Sequence, residues 1–290
     1  MVTFRGLATS LFGNIADKYG SYFTIIKDSL PRADIKMAFR TFFSTVLFIS
    51  ILSYVFSLFA TILIFQMIKL PLLQTIVYTI FVPFLIAIAS FVFLIFIPSQ
   101  KVSSRRKNIE VNLPFVLTHM GAVAESGVPP YVIFKLISQF DEYGEIAGEM
   151  KKIMRNIDVY GIDPLTAVKD VARKTPSDSL KQILLGFTST TESGGDIKVF
   201  LKSAGQQALF EWRMKRERFL QQLSAYAEFY TGILIAAPLF IIALFSVLNL
   251  VQGTFAGYNI LDLMKMTIYL VMPTLNGVFL LFLRGVEVEM

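Results

Sequence analysis

Residues 124–134 read AESGVPPYVIF, and residues 191–201 read TESGGDIKVFL. The triplet Glu125–Gly127 returns sixty-seven positions later as Glu192–Gly194. Each copy closes one apolar-periodic run and opens another. Gly127 and Gly194 suit a left-handed helix stop. Pro129-Pro130 and Asp196 suit the start of the next helix. The same shift pairs Leu113 with Leu180, Val116 with Ile183, Leu117 with Leu184 and Met120 with Phe187 before the corner. After it, Val132 meets Val199, Ile133 meets Phe200 and Phe134 meets Leu201. Amphipathic helices share a period, so apolar matches alone carry little weight. The coincident triplet tips the balance toward a repeat of two helical hairpins, and predicts a bundle of two related halves.

Working outward, the whole segment around these corners reads as helical. A first helix opens at NLPFVL, with Asn112 as N-cap and Pro114 in the first turn, and carries Leu113, Val116, Leu117, Met120 and Ala124 at helical spacing. A second covers PPYVIFKLISQF and a third GEIAGEMKKIMRNIDVYG. Asp163 caps a fourth that Pro164 opens. PSDSLKQILLGFTSTTESG forms a fifth, and a sixth runs from Asp196 toward residue 228 with no break signal. No β-hairpin pattern stands out.

Beyond this segment the chain turns strongly apolar. Hydrophobic residues make up 54% of 290, with 28 Phe, above the soluble norm of roughly 45–50%. Four stretches lack charge for the roughly 20 residues a bilayer requires: 41–68, 72–97, 229–251 and 266–283. They pair into two hairpins, joined at KLPLLQ and at the polar turn QGTFAGYNILD. No cleavable signal peptide is recognisable. Basic residues orient the spans. Six Lys/Arg lie in residues 1–40 and eighteen in 98–225, against Lys69 and Lys265 alone in the short loops. The positive-inside rule puts both termini and the central segment in the cytoplasm. The expected organisation is a cytoplasmic amphipathic segment (1–40), a membrane hairpin (41–97), a helical domain (98–228), a second hairpin (229–283) and a short tail (284–290). The fold class is therefore an all-α polytopic membrane protein, with four transmembrane helices and a cytoplasmic six-helix bundle between two membrane hairpins.

Chemistry is hard to find. There is no Cys, which excludes disulfides and cysteine-based metal sites. The lone histidine, His119, reads as a satisfied core or interface residue. No nucleophile–base pair or metal spacing accompanies Glu125 and Glu192, so no catalytic residue, cofactor or metal is assigned. The net charge of +6 reflects topology, and no nucleic-acid partner is called for. The span interiors hold no ionisable residue, which weighs against an ion-coupled transporter.

The stretches LPFVLTHMGAVAESGVPP, GIDPLTAVKDVARKTPSDSLKQILLGF and TESGGDIKVFLKSAGQQ, followed by two spans, resemble the type II secretion F-domain family. Its members are membrane platform proteins of type IV pili, type II secretion, Tad pili and the archaellum. The resemblance implies a cytoplasmic six-helix F domain and a non-enzymatic role. It implies as partners a hexameric assembly ATPase, pilin or archaellin subunits, membrane lipid, and a second subunit in a homo- or heterodimer. One F domain with four spans is closer to the Tad and archaeal organisation than to two-domain members. No G-x-x-x-x-G-K-[ST] motif occurs, so nucleotide hydrolysis would come from the partner. The remaining alternatives are a polytopic transporter or a membrane-anchored scaffold.

Under that resemblance two residue sets stand out. Lys151, Lys152 and Arg155, remote in sequence from the spans, are candidates for ATPase contact, with Glu125, Glu192 and Asp196 at the corners. For the corner residues, helix capping and solvation form the competing reading. Arg105, Arg106 and Lys107 after the second span, and Trp212, Arg213, Lys215, Arg216 and Arg218 before the third, read as anchors at anionic headgroups. Electrostatic docking of the ATPase is the second reading of these runs.

Overall fold

The structure, a computed structural model, describes residues 4–20, 23–68, 71–255 and 257–287. The chain forms two compact units, Met1–Phe210 and Glu211–Met290. Helix dominates both. Four helical stretches among the described residues are long and apolar enough to cross a membrane: Phe39–Ile64, Val77–Glu125, Ile197–Val251 and Ile260–Gly285. Their apolar side chains face outward, as at Ile51, Leu52, Val55 and Phe56. That exposure suits a lipid solvent. The chain is a multi-pass membrane protein. Lys69, used above to orient the first hairpin, lies outside the described residues.

The first unit begins with α1 (Phe4–Tyr19) and α2 (Thr24–Arg32), followed by α3 (Phe39–Ile68), the first membrane helix. α1 runs antiparallel beside α3. Asp17 pairs with Arg40 at 3.4 Å and the Phe12 ring lies 6.4 Å from that of Phe48. α2 buries Ile26 and Leu30 against Phe42 and Val46 of α3, and Phe91, Leu94 and Ile95 complete this small core. The N-terminal segment thus forms a collar, or neck, around the ends of the first hairpin's helices that lead to the bundle. In the span itself Ser50, Ser57 and Thr61 line the buried face of α3. Each hydroxyl donates to a carbonyl three or four residues back, which satisfies it without water.

α4 (Leu72–Glu125) runs unbroken past residues 97–98 and corrects the helix start expected at Asn112. It is one helix of 54 residues, with Pro83, Pro98 and Pro114 inside it. Proline removes one i→i−4 bond and usually ends or kinks a helix, at about 3 kcal/mol. Here the apolar stripe Ile109, Leu113, Val116, Leu117, Met120 and Ala124 is buried continuously through Pro114. That burial outweighs the lost bond. The Asn112 amide donates to the Asn108 carbonyl at 3.0 Å instead of capping a new helix.

The lower part of α4 is the first helix of the bundle. α5 (Pro130–Gln139), α6 (Glu145–Asp158), α7 (Pro164–Lys174), α8 (Asp178–Glu192) and α9 (Ile197–Phe229) follow in the order expected. Asp163 caps α7, accepting from the Leu165 and Thr166 amides at 3.1 Å each. One core joins Ile133, Phe134 and Ile137 of α5 to Met150 and Ile153 of α6, Val168 of α7 and Leu184 of α8. The Phe134 and Phe187 rings meet edge to face at 4.8 Å, an arrangement favoured by the ring quadrupole.

In the second unit α9 passes without a break into a π-helical turn (Tyr230–Ala236) and α10 (Ala237–Val251). The tip expected as a polar turn carries a minimal antiparallel ladder, β1 (Thr254–Phe255) with β2 (Tyr258–Asn259). α11 (Ile260–Met266), a second π turn (Thr267–Val271) and α12 (Met272–Glu287) complete the hairpin. Pro238 and Pro273 each lie beyond a π turn after one intervening residue, and the shifted bonds Ala237→Gly232 and Met272→Thr267 accommodate their missing N–H groups. The Tyr230 hydroxyl donates to Asn276 Oδ1 at 3.0 Å, so both polar groups are satisfied within the hairpin.

Candidate functional site: two glycine corners and a buried ionic junction

The two sequence corners fold alike. α4 ends at Glu125 and α8 at Glu192. Ser126 and Ser193 then keep helical dihedrals, and Gly127 and Gly194 turn left-handed at φ +77° and +71°. The Ser126 hydroxyl donates to the Val123 carbonyl at 2.7 Å, and Ser193 donates to Thr190 at 3.1 Å. The Gly127 amide returns to Ala124 at 3.1 Å, and that of Gly194 to Thr191 at 3.2 Å. These bonds satisfy carbonyls that a helix end would leave unpaired. The starts that follow differ in chemistry. Pro129 presets the backbone of α5, whereas Asp196 Oδ1 accepts from the Lys198 amide at 2.8 Å.

The fold brings the two corners together. A cavity of about 230 Å³ lies between them, lined by Ala124, Gly127 and Val128 from one and by Gly195, Asp196 and Lys198 from the other. α4 and α9 cross beside it at Gly121 and Gly205. A Cβ on Gly205 would sit 3.0 Å from the Leu117 carbonyl oxygen, against backbone that would have to give way, so glycine suits this approach. The sixty-seven-residue shift turns this pair into Thr188 and Ser138, both small and buried. Burial repeats in full at Leu113/Leu180, Leu117/Leu184, Met120/Phe187 and Phe134/Leu201, whereas Ile183 and Phe200 are half-buried where Val116 and Ile133 are buried, and Val199 is exposed where Val132 is half-buried.

The corner glutamates hold the bundle's outer charges in place. Glu125 pairs with Lys202 of α9 at 2.6 Å, and Glu192 pairs with Lys169 of α7. Lys151 pairs with Asp141 at 2.6 Å, and its hydrogen bond and charge hold the Asp141 carboxyl below the usual range. Among the described residues Arg155 has no ion-pair partner. His119 sits in an aromatic cluster, with Nδ1 2.8 Å from the Tyr143 hydroxyl and its ring 5.3 Å from Phe140. Burial, with Glu142 nearby, pushes the Tyr143 phenol up.

The structure separates the three residues expected as anchors after the second span. Lys107 is exposed, and Arg106 reaches Glu110 at 2.8 Å and Asp178 at 3.6 Å. Arg105 points inward, which corrects its assignment to the headgroups. Only 5% of its side chain is exposed. Its Nε donates to Glu145 at 2.6 Å, Nη2 to Glu149 at 2.5 Å, and Nη1 to the Arg32 carbonyl at 2.5 Å. Each of its three nitrogens is engaged inside the protein, and the buried side chain is turned away from lipid phosphate. In the second run, Arg216 stacks over Trp212 at 5.9 Å, while Arg213, Lys215 and Arg218 are exposed.

Lys152 belongs to the same junction. It contacts Glu149 at 3.1 Å and Asp34 at 3.3 Å. Asp34 follows the C-terminus of α2 and sits at φ +55°, left-handed without being glycine. Burial alone would raise its carboxyl. Lys152, with Arg105 and Lys36 behind it, outweighs this and holds the group below the usual carboxylate range. The start of α6 is pinned beside it. The Glu145 amide donates to Asn108 Oδ1 at 2.8 Å, and a Cβ on Gly144 would collide with that side chain at 2.5 Å. Asp34, Glu145 and Glu149 were absent from the residues picked out by motif. One signal was available: Arg105 falls four residues before Ile109 on the apolar stripe of α4, and Glu149 falls between Ile146 and Ile153 on that of α6. Two opposite charges on facing apolar stripes imply a buried pair.

Comparison with known proteins finds a likeness over the bundle. Residues 116–245 match the family described as type II secretion system (T2SS), protein F. An uncharacterized protein of Methanocaldococcus jannaschii is 22% identical over 192 residues, 65% of this chain and 32% of that protein. The Flagella accessory protein J of the same organism is 23% identical over 145 residues, and that of Methanococcus voltae 22% over 145; each alignment takes in 50% of this chain and 26% of that protein. The chain thus spans about a third or less of the length of these curated relatives. No solved structure matches it. The matched region takes in five of the six bundle helices, both corners and the start of the second hairpin, and over this region the chain is similar to the type II secretion system protein F family.

Proposed function

We propose that this chain is the membrane platform of a type IV pilus-like filament machine, in the archaellum branch or close to it. The observation that carries the reading is the F domain held between two membrane hairpins, in a chain similar to two Flagella accessory proteins J. On this reading the protein performs no chemistry. It takes mechanical work from a cytoplasmic hexameric assembly ATPase and passes it to pilin or archaellin subunits in the bilayer. Both termini and the bundle face the cytoplasm, the side favoured by the Lys/Arg bias. Arg106, Lys107, Trp212, Arg213, Lys215, Arg216 and Arg218 hold the bundle at anionic headgroups, at about 1 kcal/mol per basic residue near the surface. Arg155 and Lys151, exposed on α6, supply the ATPase contact, and a dimer of the platform meets the hexamer.

The test is genetic and biochemical together. Deleting the gene abolishes a surface filament, and the detergent-solubilised protein co-purifies with an assembly ATPase. A deletion strain with every filament intact, and a purified protein that retains no ATPase, would reject the platform reading in favour of a transporter or scaffold.

A further inference from the structure

Helix α4 is the only covalent connection from the first hairpin down into the bundle, and Pro98 lies inside it. Proline within a helix is a place where the helix bends. The neck packs on α4 before that proline, at Phe91, Leu94 and Ile95. The ionic junction grips α4 after it, at Arg105, and ties it to the neck through the Arg32 carbonyl at 2.5 Å. Lys152 of the bundle reaches Asp34 of the neck at 3.3 Å, which makes a second tie. The neck therefore bridges the proline from both sides.

We propose that the neck is a splint. Through Asp34–Lys152 and Arg105–Arg32 it keeps α4 from bending at Pro98, and it holds bundle and first hairpin as one body throughout the working cycle. A buried charge cluster is a poor source of net stability compared with apolar packing, but it is strongly directional. Arg105 fits one arrangement of Glu145, Glu149 and the Arg32 carbonyl, and a bend at Pro98 would part it from that carbonyl while the two glutamates move with it. Opening the joint parts Asp34 from Lys152 and the Arg32 carbonyl from the Arg105 guanidinium, so the joint resists bending. Arg105 and Lys152 are positioning residues in this scheme. The consequence for movement rests on the platform reading; the splint itself does not.

The chain has no native cysteine, so introduced thiols can be labelled cleanly. Spin labels at Asp28→Cys in the neck and Asp158→Cys in the bundle, on the full chain in lipid nanodiscs, report their separation. The wild-type background is expected to give one narrow distance distribution. Lys152→Glu places a like charge beside Asp34 and Glu149, and the narrow distribution is lost. Adding Pro98→Ala to that variant removes the bend and narrows it again, an outcome that a purely local structural role for Lys152 would not produce. Lys151→Glu, one residue away and outside the junction, leaves it narrow. A narrow distribution in Lys152→Glu, or no recovery with Pro98→Ala, would overturn the splint. In cells, a bis-maleimide bridge between Asp34→Cys and Lys152→Cys leaves filament assembly intact; loss of assembly on bridging would show a joint that must open, and would also overturn it. If filaments form without the protein at all, the platform reading fails while the distance measurement still judges the splint.

Discussion

Glu149 stands with 2% of its side chain exposed and shares one oxygen between Arg105 and Lys152. Removing its charge leaves a buried guanidinium short of a partner, and breaking a buried pair on one side costs about 3–5 kcal/mol. Glu149→Gln is accordingly expected to lower the denaturant midpoint sharply, whereas Glu125→Gln, at an exposed pair screened by solvent, leaves it nearly unchanged. Asp34 adds a pH dependence with a definite sign. Its folded carboxyl titrates below the unfolded one, so the stability it contributes is complete above the unfolded value, about 3.9, and is lost as pH falls through the lower folded value. The neck-to-bundle distance is expected to broaden on acidification in that range, and Asp34→Asn, which tolerates the left-handed backbone, to remove this step. Gly205 is tested by size. Gly205→Ala brings a Cβ within 3.0 Å of backbone on α4, and a lower Tm with α4 and α9 pushed apart is the expected result.

At the scale of elements, helix ends and helix faces are set by different forces. Local chemistry ends a helix: Gly127 and Gly194 turn left-handed and return amides to open carbonyls. Gly194→Ala keeps those bonds but forces Cβ into the left-handed region, at roughly 1–2 kcal/mol, readable as a drop in Tm. Packing sustains a helix: α4 continues through Pro114 because the stripe on either side of it is buried in one core. Phe134→Ala deletes the ring that meets Phe187 and is expected to cost about 3–5 kcal/mol in unfolding measurements. These two changes differ in reach. The glycine variant loosens one corner, and the phenylalanine variant empties the centre of the bundle.

For the molecule as a whole, the proposed topology and partner surface can be separated. Single cysteines at Lys107 and Thr254 are expected to react with a membrane-impermeant maleimide from opposite sides, Lys107 only after the cells are opened. Labelling of both from the same side would reject two hairpins with cytoplasmic termini. Reversing Lys151 and Arg155 to Glu is expected to weaken ATPase binding at least tenfold, about 1.4 kcal/mol, with insertion unchanged. Lys152 is the wrong residue for that experiment, since its charge is already engaged by Glu149 and Asp34.

The sequence alone determined the all-helical class, the four apolar spans, five of the six bundle helices with their starts, and both glycine corners. Each depends on short-range causes: hydropathy over a bilayer's length, a capping aspartate at 163 or 196, a glycine at a left-handed stop. Tertiary structure decided the rest. It carried α4 through Pro114, where Asn112 and Pro114 alone announced a helix start, because burial of a long stripe outweighs one lost bond. It turned Arg105 inward from a basic run that composition assigns to lipid, because its partners Arg32, Glu145 and Glu149 are between 40 and 73 residues away. It set the two Glu-Ser-Gly corners around one cavity. The repeat foretold two like halves, but a helix crossing as close as Gly121 and Gly205 depends on atoms that meet only when the chain has folded.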